Sequence, residues 1–166
     1  MKLLVFASLP LILVFRCQRF GSAKNVLNQK QISAAIVELR AAYAAFNRGD
    51  IDAAVRALDR HVEWTEPAEF PGGGTYHGIA GAKQYLTQSR AGAAQVISEP
   101  EQFIPSADLI VVFVHARLLS SRSPKWRDVR LADVYRFRKG KVIEMRAFAD
   151  RKEALRWAGI GDASIP

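Results

Sequence analysis

Two carboxylates stand out in this sequence because each falls on a strand face that is otherwise apolar. Glu66 shares its predicted face with Val62 and Trp64, and Asp133 shares its face with Tyr135, since alternate residues of a strand point the same way. A carboxylate on such a face is costly unless it is protonated or hydrogen-bonded. A carboxyl in such a setting can give or take a proton, so both residues are candidates for acid–base chemistry.

The remaining ionisable candidates are weaker. His115 and Arg117 share a face near the end of a predicted strand, and we place them at the pocket, with the outer face of the sheet as the alternative. The histidines at 61, 77 and 115 are too scattered for a metal-binding spacing. Cys17 is the single cysteine, so neither an internal disulfide nor a cysteine cluster can form. We therefore expect neither a metal nor another cofactor.

The elements that would position these residues follow from periodicity and turn signals. Apolar residues spaced by three and four predict a first helix that ends at Arg48-Gly49, and Asp50 can cap a short second one. Two prolines and three consecutive glycines mark a loop over 67–74. This first helix covers 32–47, and further helices are predicted over 78–90 and 151–159. The predicted strands cover 61–66, 96–104, 109–119, 129–138 and 141–149.

The last two predicted strands form a hairpin whose register decides what Asp133 faces. Pairing the apolar faces requires a three-residue loop, Arg138-Lys139-Gly140, with glycine in the left-handed conformation. In that register Met145 lies opposite Asp133. The arginines of the first strand then point to the other face, which leaves Asp133 without a cationic neighbour.

The order of elements, together with several short motifs, resembles the SnoaL-like group of the nuclear transport factor 2-like fold, which includes ketosteroid isomerase. The resemblance covers about residues 32–160. It is carried by these segments: Asn47-Arg48-Gly49-Asp50, Glu66-Pro67, Thr75-Tyr76-His77-Gly78, Asp133-Val134-Tyr135-Arg136-Phe137, Gly140-Lys141-Val142, Glu153-Ala154-Leu155 and Ala158-Gly159-Ile160.

The resemblance implies an α+β fold in which a curved antiparallel sheet and three to four helices form a cone-like half-barrel around an apolar pocket. It implies a base at Glu66, which precedes a proline as the isomerase base does, and a neutral acid at Asp133 in the oxyanion hole. It also implies a homodimer that forms through the outer sheet face. We expect these residues to line the pocket: Trp64, Val62, Tyr43, Tyr135, Met145, Ala147, His115 and Arg117.

One departure from the isomerase bears on activity. The hydrogen-bonding tyrosine of that enzyme falls at Ala42, and Tyr43 is about 100° further around the helix. Three hypotheses follow. The first is a cofactor-independent isomerase, cyclase or hydrolase that acts on an apolar carbonyl-type substrate. The second, favoured by the missing tyrosine, is non-catalytic binding of a small apolar molecule. The third is a dimeric accessory module.

Composition and the N-terminal segment bear on the partners of the protein and on its location in the cell. The 166 residues are 49% hydrophobic and 24% charged, with a net charge of +8 but no long run of like charges, which argues against nucleic-acid binding. The apolar run Leu3–Phe15 is shorter than the about 20 residues of a membrane span. It fits a signal peptide cleaved after Ala23, hence export, with a cytoplasmic protein as the alternative. We divide the chain into a leader (1–23), a linker (24–31), the domain (32–160) and a tail (161–166).

Overall fold

A computed structural model describes residues 26–121 and 125–161. The predicted leader, Cys17 and nearly all of the tail lie outside the described residues. The helices are α1 (Gln29–Arg48), α2 (Ile51–Ala54), α3 (Gly78–Ala91) and α4 (Arg151–Trp157). The strands are β1 (Leu58–Glu66), β2 (Gly74–His77), β3 (Gln95–Ser106), β4 (Leu109–Leu119), β5 (Trp126–Arg138) and β6 (Lys141–Phe148).

These elements form the expected α+β fold, in which the six strands make one curved, unclosed sheet in the order β2-β1-β6-β5-β4-β3. Four of the five pairings are antiparallel, but β1 runs parallel to β6, so the sheet is mixed rather than purely antiparallel. The parallel pairing joins strands far apart in sequence, and no local turn signal reveals it.

The long helix α1 is defined by signals at both of its ends. Asn28 and Gln31 form a reciprocal capping box, so the helix begins within the predicted linker, three residues before Ile32. Gly49 ends it with a φ of 81°, which costs glycine little. Between these ends a buried stripe at spacings of four, which includes Leu39 and Tyr43, turns toward the sheet.

Both faces of the sheet are buried around the first half of β4, which explains why that strand is apolar from Leu109 to Val114. One set of alternate residues, including Ile110 and Val112, joins the main core beneath α1 and α3. The other set, including Leu109 and Val111, joins a second core with Leu155 of α4. The sheet therefore separates an inner side under the long helices from an outer side that α4 covers in part.

The β5–β6 hairpin differs from its predicted register. Its turn holds two residues, Lys139 and Gly140, with φ values of 52° and 75°, instead of the predicted three-residue loop. A bulge next to Arg136 restores the expected matching of faces further along the strands. As a result Asp133 lies opposite Ala147 and not Met145.

Candidate active site

A cavity of about 700 Å³ lies between the inner face of the sheet and the helices α1 and α3. Its walls are mainly apolar side chains, among them Phe46, Leu86, Val114 and Leu131. Both Glu66 and Asp133 line it. The cavity thus combines the volume of a small-molecule site with two ionisable groups in an apolar surrounding.

Asp133 is held by tyrosines from two different elements. The Oη of Tyr43, on α1, donates a hydrogen bond of 2.5 Å to Oδ2 of Asp133. The Oη of Tyr135, two residues along β5, donates to the Tyr43 hydroxyl at 3.0 Å. The two tyrosine rings meet edge to face. This chain of donors orients the carboxyl and favours its charged form.

Glu66 ends β1 and, at 7% exposed, is the one buried charged residue among the described residues. The indole Nε1 of Trp64, two residues earlier on the same face, donates to Oε1 of Glu66 at 2.7 Å. The hydroxyl of Tyr85, on α3, interacts with the same carboxyl. Trp64 and Tyr85 therefore hold the Glu66 carboxyl from β1 and from α3.

The two carboxyls differ in acidity. Burial raises the pKa of Glu66 to about 8, the charge of Asp133 adds to that rise, and the hydrogen bonds from Trp64 and Tyr85 oppose it. Burial raises the pKa of Asp133 only to about 6, because its two tyrosine partners stabilise the carboxylate. Asp133 is half-buried, and its carboxyl lines the cavity. Near pH 7, Asp133 is therefore mainly ionised and Glu66 mainly neutral.

The predicted pocket residues divide into three groups: those that line the cavity, those sealed in the core, and those on the outer face of the sheet. Four of them line the cavity, namely Trp64, Tyr43, Tyr135 and Ala147. Val62 and Met145 are instead sealed in the core, with exposed fractions of 0% and 1%, and are not part of the cavity wall.

His115 and Arg117 lie on the outer face, contrary to their assignment to the pocket. There Nε2 of His115 lies 2.6 Å from Asp128, and Arg117 donates to Glu99 at 3.0 Å. The residues of β4 that alternate with them, Val114, Ala116 and Leu118, line the cavity. The alternation was read correctly from the sequence, but the apolar run gave no sign of which set faces inward.

The role of tyrosine hydroxyls as hydrogen-bond donors at the site was underestimated from the sequence. The expectation that the site would lack one is wrong, because Tyr43 reaches Asp133 in spite of its different position on α1. Tyr85 was missed, although it follows Ala82 by one helical turn on the buried side of α3. Arg127 was missed because β5 begins three residues before its predicted start, at Trp126.

Within the described ranges, no three His, Cys, Asp or Glu side chains group in a way that would hold a metal ion. Nor does any described helix combine the length and the apolar character needed to cross a membrane.

Solved structures place this fold among nuclear transport factor 2-like proteins. Crystalline TerC, co-crystallised with polyporic acid, is 26% identical over 76% of this chain and 98% of its own, with a TM-score of 0.64. An NTF2-like protein of unknown function from Burkholderia pseudomallei is 26% identical over 74% and 95%, also with a TM-score of 0.64. The epoxide hydrolase/cyclase-like enzyme SalBIII is 18% identical over 75% and 95%, with a TM-score of 0.58.

The sequence itself assigns the family. The profile of the SnoaL-like domain matches residues 39–145, which include both acids and most of the sheet. The chain therefore belongs to the SnoaL-like family. No curated protein matches it.

Proposed function

We propose that this protein is a cofactor-independent enzyme that moves protons on an apolar carbonyl-type substrate, as an isomerase, cyclase or hydrolase. The observation that carries the proposal is the pair of acids in one apolar cavity, Asp133 held by tyrosine hydroxyls and Glu66 by an indole N–H. SalBIII supports such chemistry for the fold, since it is an epoxide hydrolase/cyclase-like enzyme with a role in pyran ring formation.

The two pKa values decide which acid is the base and which is the proton donor in this proposal. They give the opposite assignment to the one that the resemblance implied. Asp133, mainly ionised near pH 7, takes a proton from the carbon beside the substrate carbonyl. Glu66, mainly neutral, donates its proton to the developing oxyanion. Returning the first proton to carbon and the second to Glu66 completes an isomerisation, and both acids regain their starting states.

A hydrogen-exchange measurement tests the proposal directly. Apolar ketones such as 2-tetralone and cyclohexanone would be incubated with the protein in D2O, and exchange of their α-protons followed by NMR. We expect the protein to accelerate exchange, and the variants Asp133→Asn and Glu66→Gln to lower the rate by about 100-fold or more. Asp128→Asn is the matched control, because this carboxylate is exposed on the outer face.

The pH profile sharpens the test. Exchange needs Asp133 deprotonated and Glu66 protonated, so its rate should follow a bell between about pH 6 and pH 8, the pKa values of Asp133 and Glu66. An exchange rate equal to that of the buffer for every ketone, or one unchanged by Asp133→Asn, would exclude this role.

Binding without catalysis is the second candidate, and one observation favours it. Oδ2 of Asp133 already accepts a short hydrogen bond from Tyr43, which occupies part of the capacity that a base would use. A protein of this kind would show a higher melting temperature with apolar ligands, and no exchange activity.

We further propose that two copies pair through the outer sheet face, as the resemblance implies. Trp126 and Trp157, on that side, are 41% and 37% exposed, which is high for tryptophan and suits a contact surface. A monomer mass in light scattering at tens of micromolar would contradict this.

Export also remains a proposal, and mass spectrometry of the secreted or periplasmic fraction would test cleavage after Ala23.

A further inference from the structure

The cavity has a cationic end that the proposed chemistry does not use. Arg127 lies near the start of β5, and the alternate residues Val129, Leu131 and Asp133 follow it along the same wall. Arg127 is exposed, whereas Asp133 lies deeper. The strand therefore carries a cation at the opening and a carboxyl in the interior, on one continuous surface.

Arg127 differs from Arg130 and Arg136 of the same strand because none of the described residues forms an ion pair with it. The outward-facing Arg130 pairs with Glu101 at 2.9 Å, and Arg136 pairs with Glu144 at 2.8 Å. Arg127 forms no ion pair with any described residue, and this includes Glu69, the other charged residue at the rim. A guanidinium without a partner beside an apolar cavity is free to bind an anion from solution.

The distance between the two ends limits the size of the ligand. Asp133 is six positions after Arg127, and a strand rises about 3.3 Å per residue, so the two Cα atoms lie roughly 20 Å apart along β5. The wall between them is apolar, formed by Val129 and Leu131 together with Ala116 and Leu118 of β4. A ligand that touched both ends would need an apolar body of that order, shortened by the reach of the two side chains.

We infer that Arg127 binds the anionic group of an amphipathic organic anion, a carboxylate or sulfonate, whose apolar body extends into the cavity toward Asp133. The inference rests on the proposed use of the cavity for a small molecule and adds the class of that molecule. Arg127 sets specificity and takes no part in proton transfer.

Two dyes test this, because they share one apolar body and differ by a single charge. 8-Anilinonaphthalene-1-sulfonate carries a sulfonate, and N-phenyl-1-naphthylamine lacks it. Their dissociation constants would be measured by fluorescence titration. We expect Arg127→Gln to weaken the anionic dye about 5- to 10-fold and to leave the neutral dye within about 2-fold, since a single charged hydrogen-bonding pair accounts for that range.

Three further variants make the result specific. Arg138→Gln removes the same charge from the exposed far end of β5 and should change neither constant. Arg127→Lys keeps the charge and should recover part of the loss. Ala116→Phe narrows the cavity and should weaken the binding of both dyes. That result would place the dyes in the cavity. Added NaCl at 0.5 M should reduce the preference for the anion in the wild type.

Several results would overturn the inference: an unchanged ratio of the two constants in Arg127→Gln, an equal effect of Arg138→Gln, or dye binding that Ala116→Phe does not affect. Its failure is distinguishable from that of the proposed enzyme. Loss of anion preference in Arg127→Gln with no ketone exchange in the wild type would support the subsite and exclude the catalysis. Ketone exchange without any anion preference would do the opposite.

Discussion

The two faces of the sheet stabilise their acids in opposite ways. On the inner face, Asp133 and Glu66 are held by neutral donors, and burial raises the pKa of both. On the outer face, Glu101 accepts hydrogen bonds from Arg151 at 2.6 Å and Arg130 at 2.9 Å, and the bond to Arg151 lowers its pKa. The comparison shows that burial with neutral donors raises the pKa values of the inner acids, whereas ion pairing lowers that of the outer acid.

The pH dependence of stability should have opposite signs for the two faces, and the inner acids should give the larger effect. The folded-state pKa of Glu66, about 8, lies above its unfolded value, so the free energy of unfolding should fall as pH rises toward 8 and then level off. At about 1.4 kcal/mol per pKa unit, the rise from 4.5 to about 8 amounts to about 5 kcal/mol for this group alone. Urea titrations from pH 5 to pH 9 measure it.

Glu66→Gln should remove that slope, so the variant should match the wild type near pH 5 and exceed its stability at pH 9. For Glu101 the folded-state pKa is lowered, so its contribution should be present near neutral pH and be lost below about pH 4.5. If Glu66→Gln retained the full slope between pH 5 and pH 8, the assignment of a raised pKa to Glu66 would be wrong.

Tyr43→Phe should produce the next largest effect, because it removes the donor that favours the charged form of Asp133. The pKa of Asp133 should rise above about 6, and the charged carboxylate should cost about 1–3 kcal/mol of stability at pH 8 for want of that partner. Carbon-detected NMR of the Asp133 carboxyl gives the pKa directly. Tyr76→Phe is a suitable control, since its hydroxyl bonds to the Gly72 carbonyl in an exposed loop.

An outer-face variant should give the smallest effect. Arg136 pairs with both Asp108 and Glu144 and is partly exposed, so Arg136→Gln should lower the free energy of unfolding by about 1 kcal/mol. Added salt should reduce that loss, whereas the pH slope of Glu66 should be nearly insensitive to salt. A salt-independent loss would indicate that Arg136 acts through its packing over Trp157 instead.

Local patterns sufficed to predict most of the fold. Periodicity and caps located the three longer helices and five of the six strands to within a few residues, and β4 was predicted with its observed ends. The short β2 was missed because Thr75 and Tyr76 follow a glycine run that indicates only a loop. The parallel β1–β6 pairing was missed for a different reason, since nothing local encodes a partner strand so distant in sequence.

The candidate site was predictable where alternation decides a face and unpredictable where it does not. Glu66, Trp64, Asp133 and Tyr135 line the cavity as their parity indicated. His115 was misplaced because both faces of β4 are apolar for most of its length. Tyr43 was undervalued because a position on a helix says little about where a long side chain ends, and its contact with Asp133 spans 90 residues of sequence.

The parallel pairing of β1 with β6 also has a consequence for the order of folding. The strands β3 to β6 are joined by short connections and form an antiparallel meander from contacts close in sequence. Trp64 and its partner Met145 are roughly 80 residues apart, so this pairing closes a long loop and should form late. On the ribosome, β1 is synthesised well before β6, so until β6 emerges it can pair only with the short β2. The two acids therefore come together only in the last stage of folding, and a chain stalled before it would hold Asp133 but no complete site.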